Sequence, residues 1–272
     1  MKLKAFFLDL DGTLNNDYKQ ITERTKSALM HMQEQGVRIV LASARPSPGL
    51  FKERDILCLR QYCGILMSYN GGRIVDASTD TFLFETCMDI TLAAEILRKL
   101  EKLPVVPILD DGKQFYVSDE SAYKVDYECR NNAMSCVEVD NLSEFLCFSP
   151  VKILMSVRPE ILQQVKSDIA SFLPSELTVV QTAPFYLEII PSCINKGQGL
   201  LDTCHALGIS ANETVAFGDA ENDIPMLKTA GIGVAMGNAT AAVKASADAV
   251  TLSNNDDGIA VWLENIACNL LR

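Results

Sequence analysis

The first 80 residues alternate between short apolar runs and amphipathic stretches. Residues 4–10 (KAFFLDL) are almost continuously apolar, which is typical of a strand buried on both faces of a parallel sheet. Thr22 is placed to cap a helix that ends at Gly36, and residues 37–43 (VRIVLAS) predict a second buried strand. This strand, helix, strand order predicts a βαβ unit with a right-handed crossover.

The same alternation returns in the last third of the chain. Residues 185–190 (FYLEII) predict a strand, and a helix follows over about 195–207. Residues 214–219 (TVAFGD) predict another buried strand, after which Pro225 lies in the first turn of a helix. These elements are expected to complete the sheet that the first 80 residues begin.

The middle of the chain has a different pattern. Between about 83 and 184, helical stretches alternate with short strands, and prolines and an Asp110-Asp111-Gly112 turn interrupt them. That acidic turn is interpreted as a hairpin rather than a metal site. We therefore predict an α/β protein with a Rossmann-like, doubly wound parallel sheet as its core and an inserted α+β cap domain. The predicted ranges are 1–82 and 188–272 for the core and 83–187 for the cap.

Charge narrows the classes of partner. The formal net charge is −11, which argues against binding nucleic acid or an anionic membrane surface. A small anionic substrate remains compatible if a few cations or a metal lie at the site. Residues 85–187 contain 9 Lys and Arg against 16 Asp and Glu, a net of −7, so most of the excess negative charge lies in the predicted cap.

Cysteines and apolar runs indicate the compartment. The nine cysteines are an odd number without a C-x-x-C pair, which favours reduced thiols in the cytoplasm over disulfides or a zinc site. The apolar stretch 5–10 is interrupted by Asp9, unlike a secretory signal. No uncharged run approaches the roughly 20 residues that cross a bilayer. The sequence leaves the oligomeric state open.

Acidic side chains follow two of the predicted strands. Asp9 and Asp11 end the first strand, where side-chain alternation sends both carboxylates to the same face, and Gly12 permits a tight turn. Asp219 and Asp223 follow a later strand. Carboxylates this close repel each other unless a cation neutralises them, which predicts Mg²⁺. The alternatives are exposed aspartates in a turn and, for Asp223, a helix cap.

A hydroxyl and a lysine complete the candidate site. Ser43 ends the second predicted strand, followed by Arg45, and can bind phosphate oxygens or simply cap a helix. Lys196 lies at a helix start, where a lysine opposes the helix dipole unless an anion is near; the alternative is a solvated lysine. The only histidines, His31 and His205, fall within predicted helices, which favours a carboxylate as general acid and base.

Taken together, the motifs resemble those of a known family. Four motifs in order resemble the haloacid dehalogenase-like hydrolases: DLDGT (9–13), Ser43, Lys196 and GDAEND (218–223). The insertion after Asn70 and the EIIP-x₄-K run at 188–196 are most similar to the Cof-type sugar phosphatases. The resemblance covers essentially the whole chain.

This resemblance implies a role for each motif. Asp9 would attack phosphorus, and Asp11 would protonate the leaving alcohol and then activate water. The implied phosphoryl contacts are Leu10, Ser43, Ala44, Lys196 and Asn222. The implied Mg²⁺ site consists of Asp9, the backbone carbonyl of Asp11, and Asp219, with Asp223 supporting it. Contacts to the leaving group would come from Arg45, Asn70 and Gly71, although a plain β-turn explains the last two equally well.

One motif departs from the family pattern. Many Cof-type members have Thr-Gly-Arg where this chain has Ser43-Ala44-Arg45, which keeps the hydroxyl but adds a methyl group beside the phosphate-facing backbone. The expected function is Mg²⁺-dependent hydrolysis of small phosphorylated metabolites, chiefly sugar phosphates, through an aspartyl-phosphate. The acidity of the predicted cap favours a neutral polyol or sugar as the leaving group. The alternatives are a phosphomutase or phosphotransferase, and a phospho-accepting signalling module.

Overall fold

The computed structural model describes residues 3–270, and side chains as far as residue 265. The strands of the described chain are β1 (Ala5–Leu8), β2 (Arg38–Ala42), β3 (Ile65–Ser68), β4 (Arg73–Asp76), β5 (Thr81–Glu85), β6 (Val106–Asp110), β7 (Phe115–Val117), β8 (Cys136–Glu138), β9 (Ile153–Ser156), β10 (Leu177–Ala183), β11 (Tyr186–Pro191), β12 (Thr214–Gly218), β13 (Ile232–Ala235) and β14 (Ala249–Val250). Its α-helices are α1 (Glu23–Glu34), α2 (Phe51–Ile56), α3 (Ile90–Leu100), α4 (Val125–Asn132), α5 (Leu142–Phe145), α6 (Leu162–Ala170), α7 (Lys196–Leu207), α8 (Ile224–Thr229), α9 (Ala241–Lys244) and α10 (Gly258–Leu270).

The chain divides into two compact units. The core comprises the residues up to Phe84 and from Asn195 onwards, and the inserted cap comprises Glu85–Ile194. The core sheet has the strand order β14-β13-β12-β1-β2-β3-β4-β5, and its strands from β14 to β3 are parallel. Since the strand order reverses on either side of β1, the sheet is doubly wound. The predicted α/β fold class is confirmed.

Strand β1 shows why the core strands are apolar throughout. Phe6 and Leu8 pack into one hydrophobic cluster with Phe217, whereas Phe7 packs into a second cluster with Val40. Alternate side chains of a strand point to opposite faces, so β1 is buried on both sides of the sheet. Each large apolar side chain buried in this way contributes roughly 1.5–3 kcal/mol. This burial fixes the strand whose carboxyl end carries Asp9.

Two core helices begin and end as their capping residues predict. The Thr22 side chain accepts a hydrogen bond from the Thr25 amide at the start of α1, and Gly36 follows the helix with φ +86°. Helix α7 begins after Asn195, whose side chain accepts from two backbone amides of the first turn, and ends at Gly208 in the left-handed region. These caps set the position of Lys196 as the first residue of α7.

The cap has its own mixed sheet and its own apolar core. Its strand order is β10-β11-β9-β6-β7-β8, and α3 and α6 pack against it through residues such as Ile96 and Val165. The Asp110-Asp111-Gly112 segment connects the antiparallel strands β6 and β7, and its two carboxylates accept backbone amides of the turn. The predicted hairpin is confirmed. Among the described helices of both units, none is long and apolar enough to cross a membrane.

The predicted domain boundaries need correction. Residues 185–190 were expected to be the first strand of the returning core, with the boundary between 187 and 188. The structure instead places β11 in the cap sheet between β9 and β10, so the second boundary falls between Ile194 and Asn195. The first boundary follows Phe84 rather than residue 82. An apolar run predicts a buried strand, but it does not specify which sheet the strand joins.

Candidate active site

Asp9 and Asp11 lie at the carboxyl end of β1, between the parallel neighbours β2 and β12. The chain then turns tightly, because the carbonyl of Leu10 accepts the amides of Thr13 and Asn15 and the carbonyl of Asp9 accepts that of Leu14. The Asp9 side chain is buried as a result. The turn places the two carboxylates beside the other strand ends of the sheet.

Gly12 is required in this turn by its conformation and by its neighbour. Its φ is +85°, in the left-handed region that side chains disfavour. A Cβ at this position would lie 2.4 Å from Oδ2 of Asp219. The absence of a side chain therefore allows the loop after β1 to approach the loop after β12, and it brings Asp219 into the site.

Lys196 joins two of the carboxylates. Its Nζ lies 2.5 Å from Oδ1 of Asp9 and 2.6 Å from Oδ1 of Asp223, and the side chain is completely buried. The alternative of a solvated lysine is therefore wrong. A cation at a helix N-terminus opposes the helix dipole, and the two carboxylates offset that cost as well as the cost of burial.

Burial shifts the pKa values of this group. Desolvation raises the pKa of Asp9, the nearby charge of Asp223 raises it further, and Lys196 opposes both effects. Burial would lower the pKa of Lys196, but the charges of Asp223 and Asp9 raise it above its ordinary value. The lysine is thus held as an ammonium ion, ready to pair with any anion that enters.

Asp219 and Asp223 follow β12 and have different surroundings. Asp223 is completely buried, and its Oδ2 accepts hydrogen bonds from the backbone amides of Asp219 and Ala220. Asp223 therefore holds both the loop after β12 and the Lys196 side chain in place. The Asp219 Oδ1 accepts the hydroxyl of Thr13 at 2.8 Å. Burial raises the pKa of Asp219, the hydrogen bond from Thr13 lowers it, and the charge of Asp223 adds to the increase.

These carboxylates fit a divalent cation. Asp9, Asp219 and Asp223 each offer an oxygen, and the three oxygens lie within 4.8 Å of one another. When all of these groups are ionised, the three carboxylates and Lys196 have a net charge of −2 in a largely buried site. Oxygen ligands with excess negative charge are what Mg²⁺ prefers. Asp223 is completely buried, and its two oxygens hold Lys196 and the backbone of the loop, whereas Asp219 is partly exposed. Asp9 and Asp219 are therefore better placed to act as direct ligands.

Asp11 has quite different partners. Its carboxylate receives two hydrogen bonds from Arg45, Nη2 to Oδ1 at 2.7 Å and Nε to Oδ2 at 2.9 Å, and it also pairs with Lys19. Burial works in the opposite direction, but Arg45 and Lys19 hold the pKa of Asp11 below its usual range. The side chain of Asp11 does not belong to the group of three carboxylates, in keeping with a metal contact through its backbone carbonyl alone.

Ser43 and Ala44 follow β2, beside the loop that carries Asn70. The carbonyl of Ser43 accepts the amide of Asn70 at 2.8 Å, and its buried hydroxyl accepts the amide of Arg45 at 3.2 Å. This last contact closes a local turn and does not cap a helix, because the next helical turn begins at Ser47 after Pro46. Phosphate binding by Ser43, Ala44 and the backbone of Leu10 stays a prediction.

The structure also brings Asn222 and Asn70 together. The Nδ2 of Asn222 donates to Oδ1 of Asn70 at 3.1 Å, and Asn70 has a left-handed backbone with φ +56°. Gly71 packs against α7, since a Cβ there would lie 2.7 Å from the Cα of Gly199. This close packing accounts for the glycine, so its contact with the leaving group stays a prediction.

Three further residues of the site are absent from the sequence predictions. Thr13 belongs to the first motif but was given no role, although its hydroxyl holds Asp219. The Nδ2 of Asn238 donates to the carbonyl of Gly12 at 2.8 Å and to Asp219 at 3.2 Å. Asn238 follows β13, and a polar residue beyond a strand end was the signal that could have revealed it. Lys19 gave no such signal, because it does not follow a predicted strand. Its contact with Asp11 depends on how the turn that contains it folds back.

Comparisons with known proteins identify the family of the chain. The family of haloacid dehalogenase-like hydrolases matches residues 6–263. A solved haloacid dehalogenase-like hydrolase from Bacteroides thetaiotaomicron is 32% identical, with a TM-score of 0.92 over 97% of this chain and 100% of that one. A solved subclass IIB sugar phosphatase is 25% identical, with a TM-score of 0.77 over 97% and 99% of the two chains.

A relative named as a phosphatase is similar over nearly the whole chain. The 5-amino-6-(5-phospho-D-ribitylamino)uracil phosphatase YitU of Bacillus subtilis is 28% identical over 94% of this chain and 95% of its own length. The family match covers the core, the cap and all four motifs. The chain therefore belongs to the haloacid dehalogenase-like hydrolases and is a phosphoric monoester hydrolase.

Proposed function

We propose that this protein is an Mg²⁺-dependent phosphatase of small phosphorylated metabolites, chiefly sugar phosphates, and that Asp9 is its nucleophile. The observation that carries the proposal is the bridge from Lys196 to Asp9 and Asp223, with Asp219 close by. The solved sugar phosphatase and the ribitylaminouracil phosphatase supply the substrate class, because both names describe a phosphate ester of a sugar or a sugar-derived chain.

Mg²⁺ would be held by carboxylate oxygens of Asp9 and Asp219 and by the backbone carbonyl of Asp11, with Asp223 orienting Lys196 and the loop. When bound, the ion supplies positive charge beside the phosphoryl oxygens. Lys196 adds a second positive charge at a fixed position. Phosphoryl transfer depends mainly on such positioning and charge neutralisation.

The reaction would proceed in two displacements. In the first, an oxygen of Asp9 bonds to phosphorus, the bond from phosphorus to the ester oxygen breaks, and Asp11 gives that oxygen a proton. In the second, water attacks phosphorus and gives its proton to Asp11, and the bond from phosphorus to Asp9 breaks. In its observed contacts with Arg45 and Lys19, Asp11 is ionised, so these cations must move to other partners before it can hold the first proton.

The remaining predicted residues would contact the phosphoryl group or the leaving group. Ser43, Asn222 and the backbone at Leu10 and Ala44 are proposed for the phosphoryl oxygens. Arg45, Asn70 and Gly71 are proposed for the leaving group. The hydrogen bond between Asn222 and Asn70 supports a shared surface for these two sets.

The cytoplasm is the proposed compartment, and the free state of the eight described cysteines supports it.

The test is hydrolysis of p-nitrophenyl phosphate by the wild-type chain, with Mg²⁺ and with a chelator. Asp9→Asn should remove turnover, and Asp202→Asn on the exposed side of α7 is the matched control with the same chemical change. Hydrolysis by Asp9→Asn at the wild-type rate would refute the nucleophile. Release of inorganic phosphate into water, rather than transfer to an added sugar, separates a phosphatase from a phosphomutase or phosphotransferase.

A further inference from the structure

Two cations share the carboxylate of Asp11. Arg45 binds both of its oxygens, and Lys19 binds one of them. The mechanism proposed above uses the carboxylate of Asp11 only for proton transfer to and from the ester oxygen and water. Lys19 has no role in that mechanism, whereas Arg45 is proposed to contact the leaving group.

Lys19 is held in place by the turn that contains it. Its backbone has φ +58°, its amide donates to the carbonyl of Asn16 at 2.9 Å, and its carbonyl accepts Nζ of Lys52 at 2.6 Å. Its side chain is 57% exposed, so the ammonium group can meet an incoming molecule. The site therefore has a cation that is fixed at its base and open to solvent at its tip.

The charged groups next to Lys19 and its partner Asp11 are positive on balance when Asp219 is counted with the proposed Mg²⁺. Lys19, Arg45 and Lys52 contribute three positive charges, and Asp11 and Asp17 contribute two negative ones. The charge of Asp219 also acts on Asp11, but Asp219 is a proposed ligand of Mg²⁺. The Asp17 carboxylate is already bound by the side-chain amides of Asn254 and Asn255. This positive balance contrasts with a chain whose net charge is −11.

The position of Asp11 relates these cations to the substrate. A general acid must come within about 2.6–3.2 Å of the oxygen that it protonates. The leaving group therefore lies beside Asp11 during the reaction, and side chains that touch the Asp11 carboxylate are within reach of the first few atoms of that group. A neutral leaving group would offer Lys19 and Arg45 no negative charge in place of the Asp11 carboxylate.

We propose that Lys19, together with Arg45, binds an anionic substituent on the leaving group. Such anion recognition rests on the phosphatase function proposed above. It narrows the substrate class to phosphate esters with a second anionic group, such as sugar bisphosphates and phosphorylated sugar acids. It replaces the expectation of a neutral leaving group, which came from the acidity of the cap. An anion that takes Lys19 and Arg45 also frees Asp11 from both cations.

The test measures binding rather than turnover, in the Asp9→Asn background with Mg²⁺ present. The probes are two matched pairs, 3-phosphoglycerate against glycerol 3-phosphate and 6-phosphogluconate against the open-chain glucitol 6-phosphate. Each pair shares its phosphate ester and differs by a carboxylate. Calorimetry should show about tenfold tighter binding of the anionic member in at least one pair, which corresponds to about 1.4 kcal/mol.

Adding Lys19→Gln should reduce that preference to less than about threefold, whereas Lys228→Gln, an exposed lysine on α8, should leave it unchanged. Equal binding within both pairs, no binding of either anionic probe, or a preference that survives Lys19→Gln would overturn the proposal. Because the assay needs no hydrolysis, its outcome is independent of the assay with p-nitrophenyl phosphate. Failure of the phosphatase function and failure of anion recognition can thus be told apart.

Discussion

Lys196 and Asp9 are 187 positions apart in the chain, yet Nζ and Oδ1 lie 2.5 Å apart in a site with almost no access to water. Neither group could be buried alone at acceptable cost. The pair holds the start of α7 against the end of β1, and it also presents an ammonium group beside the nucleophile. One contact therefore serves both the fold and the proposed reaction.

Replacing Lys196 by Met should damage stability and activity together. The variant leaves Asp9 and Asp223 buried without their cation, which should cost about 3–5 kcal/mol of unfolding free energy. Chemical denaturation measures that loss, and hydrolysis of p-nitrophenyl phosphate should fall below detection. In Lys196→Met with Asp223→Asn, part of the stability should return but not the activity. If the double variant recovers both, Lys196 has only a structural role.

Gly12→Ala tests the close approach of the two loops, with Gly36→Ala as a matched control. Both glycines have φ near +85°, but a Cβ at Gly36 meets nothing within 4 Å, whereas one at Gly12 collides with Asp219. Both variants should lose roughly 1–2 kcal/mol from backbone strain. Only Gly12→Ala should also lose activity and Mg²⁺ binding. Equal loss of activity in the two variants would contradict the role assigned to this contact.

Mg²⁺ should raise the melting temperature of the wild-type protein. A cation that binds only the folded state at 100 times its Kd adds about 2.7 kcal/mol to the unfolding free energy. Thermal scans with and without Mg²⁺ should show a rise of several degrees, and Asp219→Asn should remove it. Asp111→Asn, which changes a carboxylate of the cap hairpin, should retain the full rise. The metal assignment fails if Asp219→Asn responds to Mg²⁺ as strongly as the wild type.

The pairing of Asp11 should appear in the pH dependence of stability. Burial acts in the opposite direction, but Arg45 and Lys19 keep the pKa of Asp11 below its ordinary value of 3.8. Because the pKa is lower in the folded state, the ionised carboxylate stabilises the fold fully above its ordinary pKa. This stabilisation is lost as the pH falls from the ordinary pKa through the lowered one.

The measurement is the difference in melting temperature between the wild type and Asp11→Asn. It should be constant from about pH 7 to pH 5 and shrink below about pH 4. With Arg45→Met in both proteins, the shrinkage should be smaller and should be complete at a higher pH, because the loss of one of the two cations brings the pKa of Asp11 closer to its ordinary value. A difference that grows as the pH falls would show that Asp11 is not stabilised as a carboxylate.

The sequence predicted the elements that local rules control. Continuous apolar runs identified the buried strands, and Thr22 and Asn195 marked the starts of two helices. Strand ends of a parallel sheet meet along one edge, so Asp9 and Asp219 could be expected near each other before the structure was known. The close group of Asp9, Asp219 and Asp223 agrees with that expectation.

Contacts that depend on tertiary packing could not be predicted in the same way. The apolar pattern of β11 is compatible with either sheet, and only its pairing with β9 and β10 assigns it to the cap. Lys19 lies in an exposed turn, and its contact with Asp11 depends on how that turn folds back. Asn238 reaches Gly12 across 226 positions of the chain. No local periodicity encodes such contacts.

The most direct test of the central claim is to locate the phosphoryl group on the enzyme. Asp11→Asn should form the aspartyl-phosphate, because p-nitrophenolate leaves without a proton from Asp11. The variant should hydrolyse the intermediate slowly, because the base for the second step is absent. The variant is mixed with p-nitrophenyl phosphate and Mg²⁺, quenched in acid within one turnover, digested and analysed by mass spectrometry. The account predicts a phosphoryl group on the peptide that contains Asp9, lost when Asp9→Asn is added. A phosphoryl group on another residue, or one that persists in the double variant, would contradict it.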